Sequence, residues 1–174
     1  MRALGPGSVS SFLKIILDVV YVAFWVAAIA GVVGTLALYV FDFDPKLLGK
    51  AIKLNLDPNE TPATLTMVAT AFTAYVIAVL IIVERLRKIF ATLTAGDPFH
   101  PDNVGRLRWI GVMLIALELG RYPLAVAKVL LMPDMDGVSF SPNPTAWFAV
   151  LVVFVLAEVF REGARLRREA ELTI

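Results

Sequence analysis

The chain has 174 residues, of which 59% are hydrophobic, and its mean hydropathy is +0.78. Soluble domains average roughly 45–50% apolar residues, so this excess, arranged in long runs, indicates a protein of the lipid bilayer. A net charge of +1 gives no electrostatic reason to expect direct binding to nucleic acid. The absence of cysteine and the single histidine exclude disulfides, thiolate metal sites and a His-rich metal cluster, and no cofactor is expected.

The first predicted helix covers residues 12–41, an apolar run long enough to cross a bilayer, which takes about 20 residues. A cleavable signal peptide is the alternative, because the segment Ala28-Ile29-Ala30 has the small residues of a cleavage site. The apolar run continues past that segment to Phe41, which favours a retained anchor. A polar loop is predicted at residues 42–61.

The second predicted helix covers residues 62–94. Thr61 and Pro62 form an N-cap and first-turn pair, and Gly96 is a suitable stop. At 1.5 Å per residue this helix is about 50 Å long, whereas the hydrocarbon core is about 30 Å thick. We therefore expect its last turns, which begin at Glu84, to project beyond the membrane.

The third and fourth predicted helices cover residues 103–131 and 144–170, separated by a polar loop. The fourth is apolar as far as Ala157 and then continues with charges of alternating sign, typical of an exposed helical surface. The fold class predicted for residues 1–174 is therefore all-α: a single integral membrane domain, folded as a four-transmembrane-helix bundle.

The distribution of basic residues predicts the orientation of the bundle, because loops rich in Lys and Arg stay in the cytoplasm. Only Lys46, Lys50 and Lys53 lie in the first polar loop, and the second has no basic residue. The N-terminus, the segment between helices two and three, and the C-terminal tail carry the larger set: Arg2, Lys14, Arg85, Arg87, Lys88, Arg106, Arg108, Arg161, Arg165, Arg167 and Arg168. We therefore expect both termini in the cytoplasm, with helices two and four extended into it.

Residues 96–108, which we call the elbow, form the densest polar and turn-forming segment between two apolar runs. One interpretation is a cytoplasmic surface that binds a partner, formed by Asp97, Pro98, Phe99, Asn103, Arg106 and Arg108. The tail residues Glu158, Arg161, Glu162 and Arg165 would extend that surface. The other interpretation is structural: prolines that turn the chain, a phenylalanine that plugs the base of the bundle, and arginines that anchor it. The two interpretations are compatible.

A second candidate site lies inside the third helix, where Glu118 and Arg121 are three residues apart and share a face, next to Tyr122. Charges within a membrane span are costly and usually face the bundle interior in pairs. Three interpretations remain open: a structural ion pair, a ligand or ion site, and a proton relay. Pro123 leaves a backbone carbonyl without its helical partner, and hydroxyl partners are available on helix two at Thr66, Thr70, Thr73 and Tyr75.

No catalytic constellation is visible. Asp134-Met135-Asp136-Gly137 begins like a calcium loop, but the remaining ligands are not at the required spacing. The chain has no Ser-His-Asp arrangement, no phosphate-binding glycine loop and no zincin motif. We therefore expect a protein that is not an enzyme.

Two stretches resemble a known family. The run GDPFHPDNVGRLRWIG at the elbow and the run LAEVFREGARL near the C-terminus, followed by a final ELTI, are similar to the signatures of the bacterial membrane family catalogued as domain of unknown function 2975. Gly105 departs from the usual pattern, which has a polar or basic residue there. The resemblance implies a four-helix protein of the bacterial inner membrane. It also implies a cytoplasmic partner, because genes of this kind often neighbour a small helix-turn-helix transcription regulator.

The sequence thus leads to two hypotheses of function. The first is a membrane anchor or sensor whose cytoplasmic face binds a protein partner, such as that regulator. The second is a homo-oligomeric transporter, or a membrane protein that binds a lipid or small molecule at Glu118 and Arg121.

Overall fold

The computed structural model describes residues 9–40, 62–131 and 143–172, with side chains for residues 12–40, 65–127 and 143–172. These residues form four helices: α1 Val9–Val40, α2 Pro62–Thr94, α3 Asp102–Leu131 and α4 Pro144–Glu171. The described chain is all-α, and each helix is long and apolar enough to cross a membrane. Their ends lie within three residues of the predicted ones. The two long polar loops, with Lys46, Lys50, Lys53 and the calcium-like segment, lie outside the described residues.

Local sequence explains where the helices begin and end. The α2 helix stops at Gly96, whose φ of +84° is a left-handed conformation that glycine adopts without strain. The backbone N–H groups of Gly96 and Asp97 donate to the carbonyls of Leu93 and Thr92, which closes the last turn. At the start of α4, the side chain of Asn143 caps the helix by accepting from the Thr145 N–H at 3.1 Å.

Most contacts between helices join neighbours along the chain: α1 with α2, α2 with α3, and α3 with α4. One buried cluster lies near the elbow and contains Ile89, Leu107, Ile110 and Ala157. A second lies between α1 and α2. Many other large apolar side chains are exposed, which suits helices whose outer surface meets lipid hydrocarbon.

Polar contacts hold α1 against α2 at two levels. The hydroxyl groups of Thr35 and Thr73 are 3.1 Å apart, beside Gly31, whose missing side chain lets the helices approach closely. Toward the elbow, Arg87 forms an ion pair with Asp18 at 2.6 Å. The same guanidinium lies 4.1 Å from the centre of the Tyr21 ring. The first turns of α1 therefore lie at the same end of the molecule as the elbow. The last turns of α4 lie there too, because Arg167 forms an ion pair with Asp97. We call this end the elbow end.

Candidate functional site

Asn103 is the centre of the elbow, and its exposed fraction is 0%. Its Nδ2 donates to the Thr92 hydroxyl at 2.8 Å and to the Pro98 carbonyl at 3.1 Å. Its Oδ1 accepts from Arg106 Nη1 at 2.8 Å. One side chain thus joins the end of α2, the turn and the start of α3, so Asn103 is not available to a partner.

Arg106 extends the same network. Its Nη1 also donates to the Lys88 carbonyl at 3.0 Å, and its Nη2 lies 3.4 Å from Asp102. The Lys88 carbonyl belongs to the last two turns of α2, so this bond ties the start of α3 to that helix. Only 18% of the Arg106 side chain is exposed, so its main role is to join α2 to α3.

The turn residues of the elbow contact α4. The Phe99 ring packs against Phe160 with centroids 5.7 Å apart, and it covers Gly163 so closely that a Cβ there would lie 2.5 Å from the ring. Asp97 forms an ion pair with Arg167. These contacts hold the elbow against α4, and Phe99 remains 38% exposed.

The remaining residues of the predicted partner surface are exposed. Arg108 lies 3.9 Å from Glu158, which also pairs with Arg161, and Arg165 pairs with Glu162 at 2.6 Å. Such exposed pairs contribute little stability. The predicted set therefore contains one buried residue, Asn103, several partly exposed residues that tie the elbow together, and an exposed strip of charges along α4 and the start of α3.

Glu118 and Arg121 meet within α3. Arg121 Nη1 lies 3.0 Å from both carboxylate oxygens of Glu118. The Glu118 residue is 5% exposed, and its carboxylate also accepts from the backbone N–H of Asn143 at 3.3 Å. The carboxylate therefore lies at the N-terminus of α4, where the helix dipole favours negative charge. Glu118 is ten residues from Arg108, or about 15 Å along the helix, which is half the thickness of a typical hydrocarbon core.

Arg121 differs from Glu118, because 52% of its side chain is exposed. It lines a cavity of about 630 Å³ that is formed by α1, α2 and α3. The polar part of the lining is Tyr39, Thr66, Thr70, Tyr75 and Arg121. The apolar part is mostly small: Met67, Ala71, Ala74, Ala78, Ala116, Leu117, Gly120, Pro123 and Leu124.

Three of the four hydroxyl residues proposed from the sequence as partners for the charged pair line this cavity: Thr66, Thr70 and Tyr75. Thr73 is buried and bonded to Thr35 instead. Tyr122 is half-buried and lies outside the lining.

Sequence reasoning missed Tyr39 and the alanines of the cavity. Ala71, Ala74 and Ala78 are spaced by three and four residues, which places them on one face of α2. That spacing of small residues was a visible signal, but it is also the ordinary pattern of close helix packing. In the described part of the chain, no group of three or more His, Cys, Asp or Glu side chains is arranged to hold a metal ion.

Four helices that are each long and apolar enough to cross a membrane indicate a multi-pass membrane protein. The chain matches the family described as "Protein of unknown function (DUF2975)" over residues 14–174 and belongs to that family. This confirms the resemblance seen at the elbow and the C-terminal stretch. No curated protein and no solved structure matches the chain.

Proposed function

We propose that this protein is a non-enzymatic membrane sensor that binds a lipid-soluble molecule in the cavity beside Arg121. The observation that supports the proposal most is the half-exposed Arg121 side chain, which lines a cavity of about 630 Å³ within the spans. Ligand sites are typically cavities of roughly 300–1,000 Å³ with apolar walls and a few polar groups that fix orientation. A purely structural ion pair has no need of such a space.

Binding is favoured over transport by the packing between the cavity and the elbow. There the buried side chains of Ile89, Leu107, Ile110 and Ala157 pack together. Toward the elbow end the bundle is therefore filled, and a molecule in the cavity has no evident route through a single chain to that end. The alternative proposal is transport by a homo-oligomer, along a path between its subunits.

The surface that passes the signal on is proposed to lie at the elbow end. That end, with both termini, is proposed to face the cytoplasm of a bacterial cell. The excess of Lys and Arg at this end supports that orientation. The exposed charges of α4, including Arg161 and Arg165, are the surface proposed to contact a protein partner, with a helix-turn-helix regulator as the first candidate. The buried elbow network would keep that surface rigid.

Filling the cavity tests ligand binding. Ala74→Phe places a large ring in the cavity without altering Arg121. Val68→Phe is the matched control, because Val68 is an exposed residue of the same helix outside the lining. Both variants and the wild type are purified from membranes in mild detergent, and lipids that remain bound are identified by native mass spectrometry.

We expect a bound species in the wild type and the control that is reduced at least tenfold in Ala74→Phe. Retention of the same species by all three proteins, or by none, contradicts a ligand site in this cavity.

A further inference from the structure

We infer that the occupant of the cavity is a neutral lipid with an acceptor oxygen at its head, such as a long-chain ester or ketone, rather than a lipid anion. This inference rests on the proposed role of the cavity as a ligand site. It follows from three properties of the site: its charge balance, its hydrogen-bond donors and the character of its walls.

The charge balance argues against an anion. Glu118 already neutralises Arg121, with Nη1 at 3.0 Å from each carboxylate oxygen. An anion against the same guanidinium would lie close to the Glu118 carboxylate in a region of low dielectric, where repulsion between like charges is strong. The partly positive N-terminus of α4 offers no compensation, because it contacts Glu118 and does not line the cavity.

The donors at the cavity suit an acceptor oxygen. A guanidinium has five N–H groups, and the contact with Glu118 uses Nη1 alone, which leaves the N–H groups of Nε and Nη2 outside the pair. The Thr70 hydroxyl cannot serve as a donor in the same way, because it donates to the Thr66 carbonyl at 2.7 Å. The half-exposed Arg121 is therefore the main donor for a carbonyl oxygen, and Tyr39 and Tyr75 are further hydroxyl-bearing residues of the lining.

The walls suit an apolar chain. Apart from its threonine, tyrosine and arginine residues, the lining consists of alanine, glycine, proline, leucine and methionine. Tyr75 and Leu124 are exposed as well as lining the cavity, so the cavity opens to the surface of the spans. In a membrane that surface meets lipid, so an apolar molecule can enter sideways from the bilayer.

Glu118→Gln tests the inference by removing the negative charge that balances Arg121. Glutamine keeps an oxygen that can accept from Arg121 and from the Asn143 N–H, but it removes the negative charge and leaves Arg121 uncompensated. The probes are tritiated methyl hexadecanoate, which is neutral, and tritiated hexadecanesulfonate, which stays ionised at any working pH. Binding to tagged protein in mild detergent is measured by scintillation proximity, with Arg121→Gln as a second variant and Val68→Phe as a control.

We expect the wild type and Val68→Phe to bind the ester at least tenfold more tightly than the sulfonate. In Glu118→Gln this preference should reverse, and Arg121→Gln should lose most binding of both probes. If the wild type binds the sulfonate more tightly than the ester, the inference is overturned. This comparison needs only the wild type, so it remains decisive even if Glu118→Gln fails to fold. If neither probe binds while a native lipid is still lost on Ala74→Phe, the ligand class is wrong and the proposed ligand site stands.

Discussion

At the scale of single residues, Asn103 shows why the elbow is polar. Its amide contacts three groups, the Thr92 hydroxyl, the Pro98 carbonyl and the Arg106 guanidinium, and Arg106 in turn donates to the Lys88 carbonyl. A buried amide is favourable only when its donors and acceptor are satisfied. The polar motif of the elbow therefore serves the fold first, and any contact with a partner has to use its exposed neighbours.

Replacing Asn103 with leucine should destabilise the protein, because the groups bonded to its amide lose their partner in a buried place. Leaving such groups unsatisfied costs about 1–3 kcal/mol. Asp102→Ala is the control: it removes an exposed contact with Arg106 at 3.4 Å, which is worth less than about 1 kcal/mol. Reversible unfolding in mixed detergent–SDS micelles measures both, and equal losses would contradict the central role of Asn103.

Glu118 and Arg121 show how burial assigns different roles to two charges. The carboxylate is buried and bonded on both sides, whereas half of the Arg121 side chain is exposed and it lines the cavity. Their spacing in sequence could not separate these roles, because both residues lie on one face of a helix. Which side chain is enclosed depends on the position of the α4 N-terminus, which comes from a different part of the chain.

At the scale of helices, glycine marks the places where elements approach one another. A Cβ at Gly163 would lie 2.5 Å from two ring carbons of Phe99, whereas a Cβ at Gly105 meets nothing within 4 Å. The first glycine is therefore required by the contact between α4 and the elbow. No contact in the described structure requires glycine at position 105, and glycine there makes the first turn of α3 less stable than alanine would.

Opposite effects are expected when the two glycines are changed to alanine. Gly105→Ala should raise stability by about 0.5–1 kcal/mol, because alanine favours the helix. Gly163→Ala gains the same preference, but it must displace Phe99 from Phe160, and such overpacking costs about 1–3 kcal/mol. Unfolding midpoints in mixed micelles compare them, and a Gly163→Ala protein as stable as Gly105→Ala would mean that the Phe99 contact is easily rearranged.

At the scale of the whole molecule, the main question is which end faces the cytoplasm. Because the chain has no cysteine, single-cysteine variants give a clean readout with a membrane-impermeant maleimide. Ala95→Cys reports on the exposed turn before the elbow, and Asn55→Cys reports on the first polar loop. In intact cells we expect labelling of Asn55→Cys but not of Ala95→Cys, with both labelled after the cells are opened. The reverse pattern would contradict the proposed orientation.

The sequence by itself determined the class of protein and the extent of the helices. Long apolar runs are costly anywhere but in a bilayer or a large core. Four such runs, bounded by the polar loops and by residues such as Pro62 and Gly96, left little freedom in fold class. The resemblance at the elbow and the C-terminus likewise needed only the order of residues, and it led to the family.

Only the tertiary structure decided which polar residues are enclosed and which are exposed. Asn103 is buried and, with Arg106, bonds α2 to α3. Arg108 and the charged residues of α4 are exposed, and Arg121 lines a cavity formed by α1, α2 and α3. The physical reason is that helical spacing fixes the neighbours of a residue on its own helix only. Burial and cavities depend on how separate helices pack, and that is set by contacts between residues far apart in the chain.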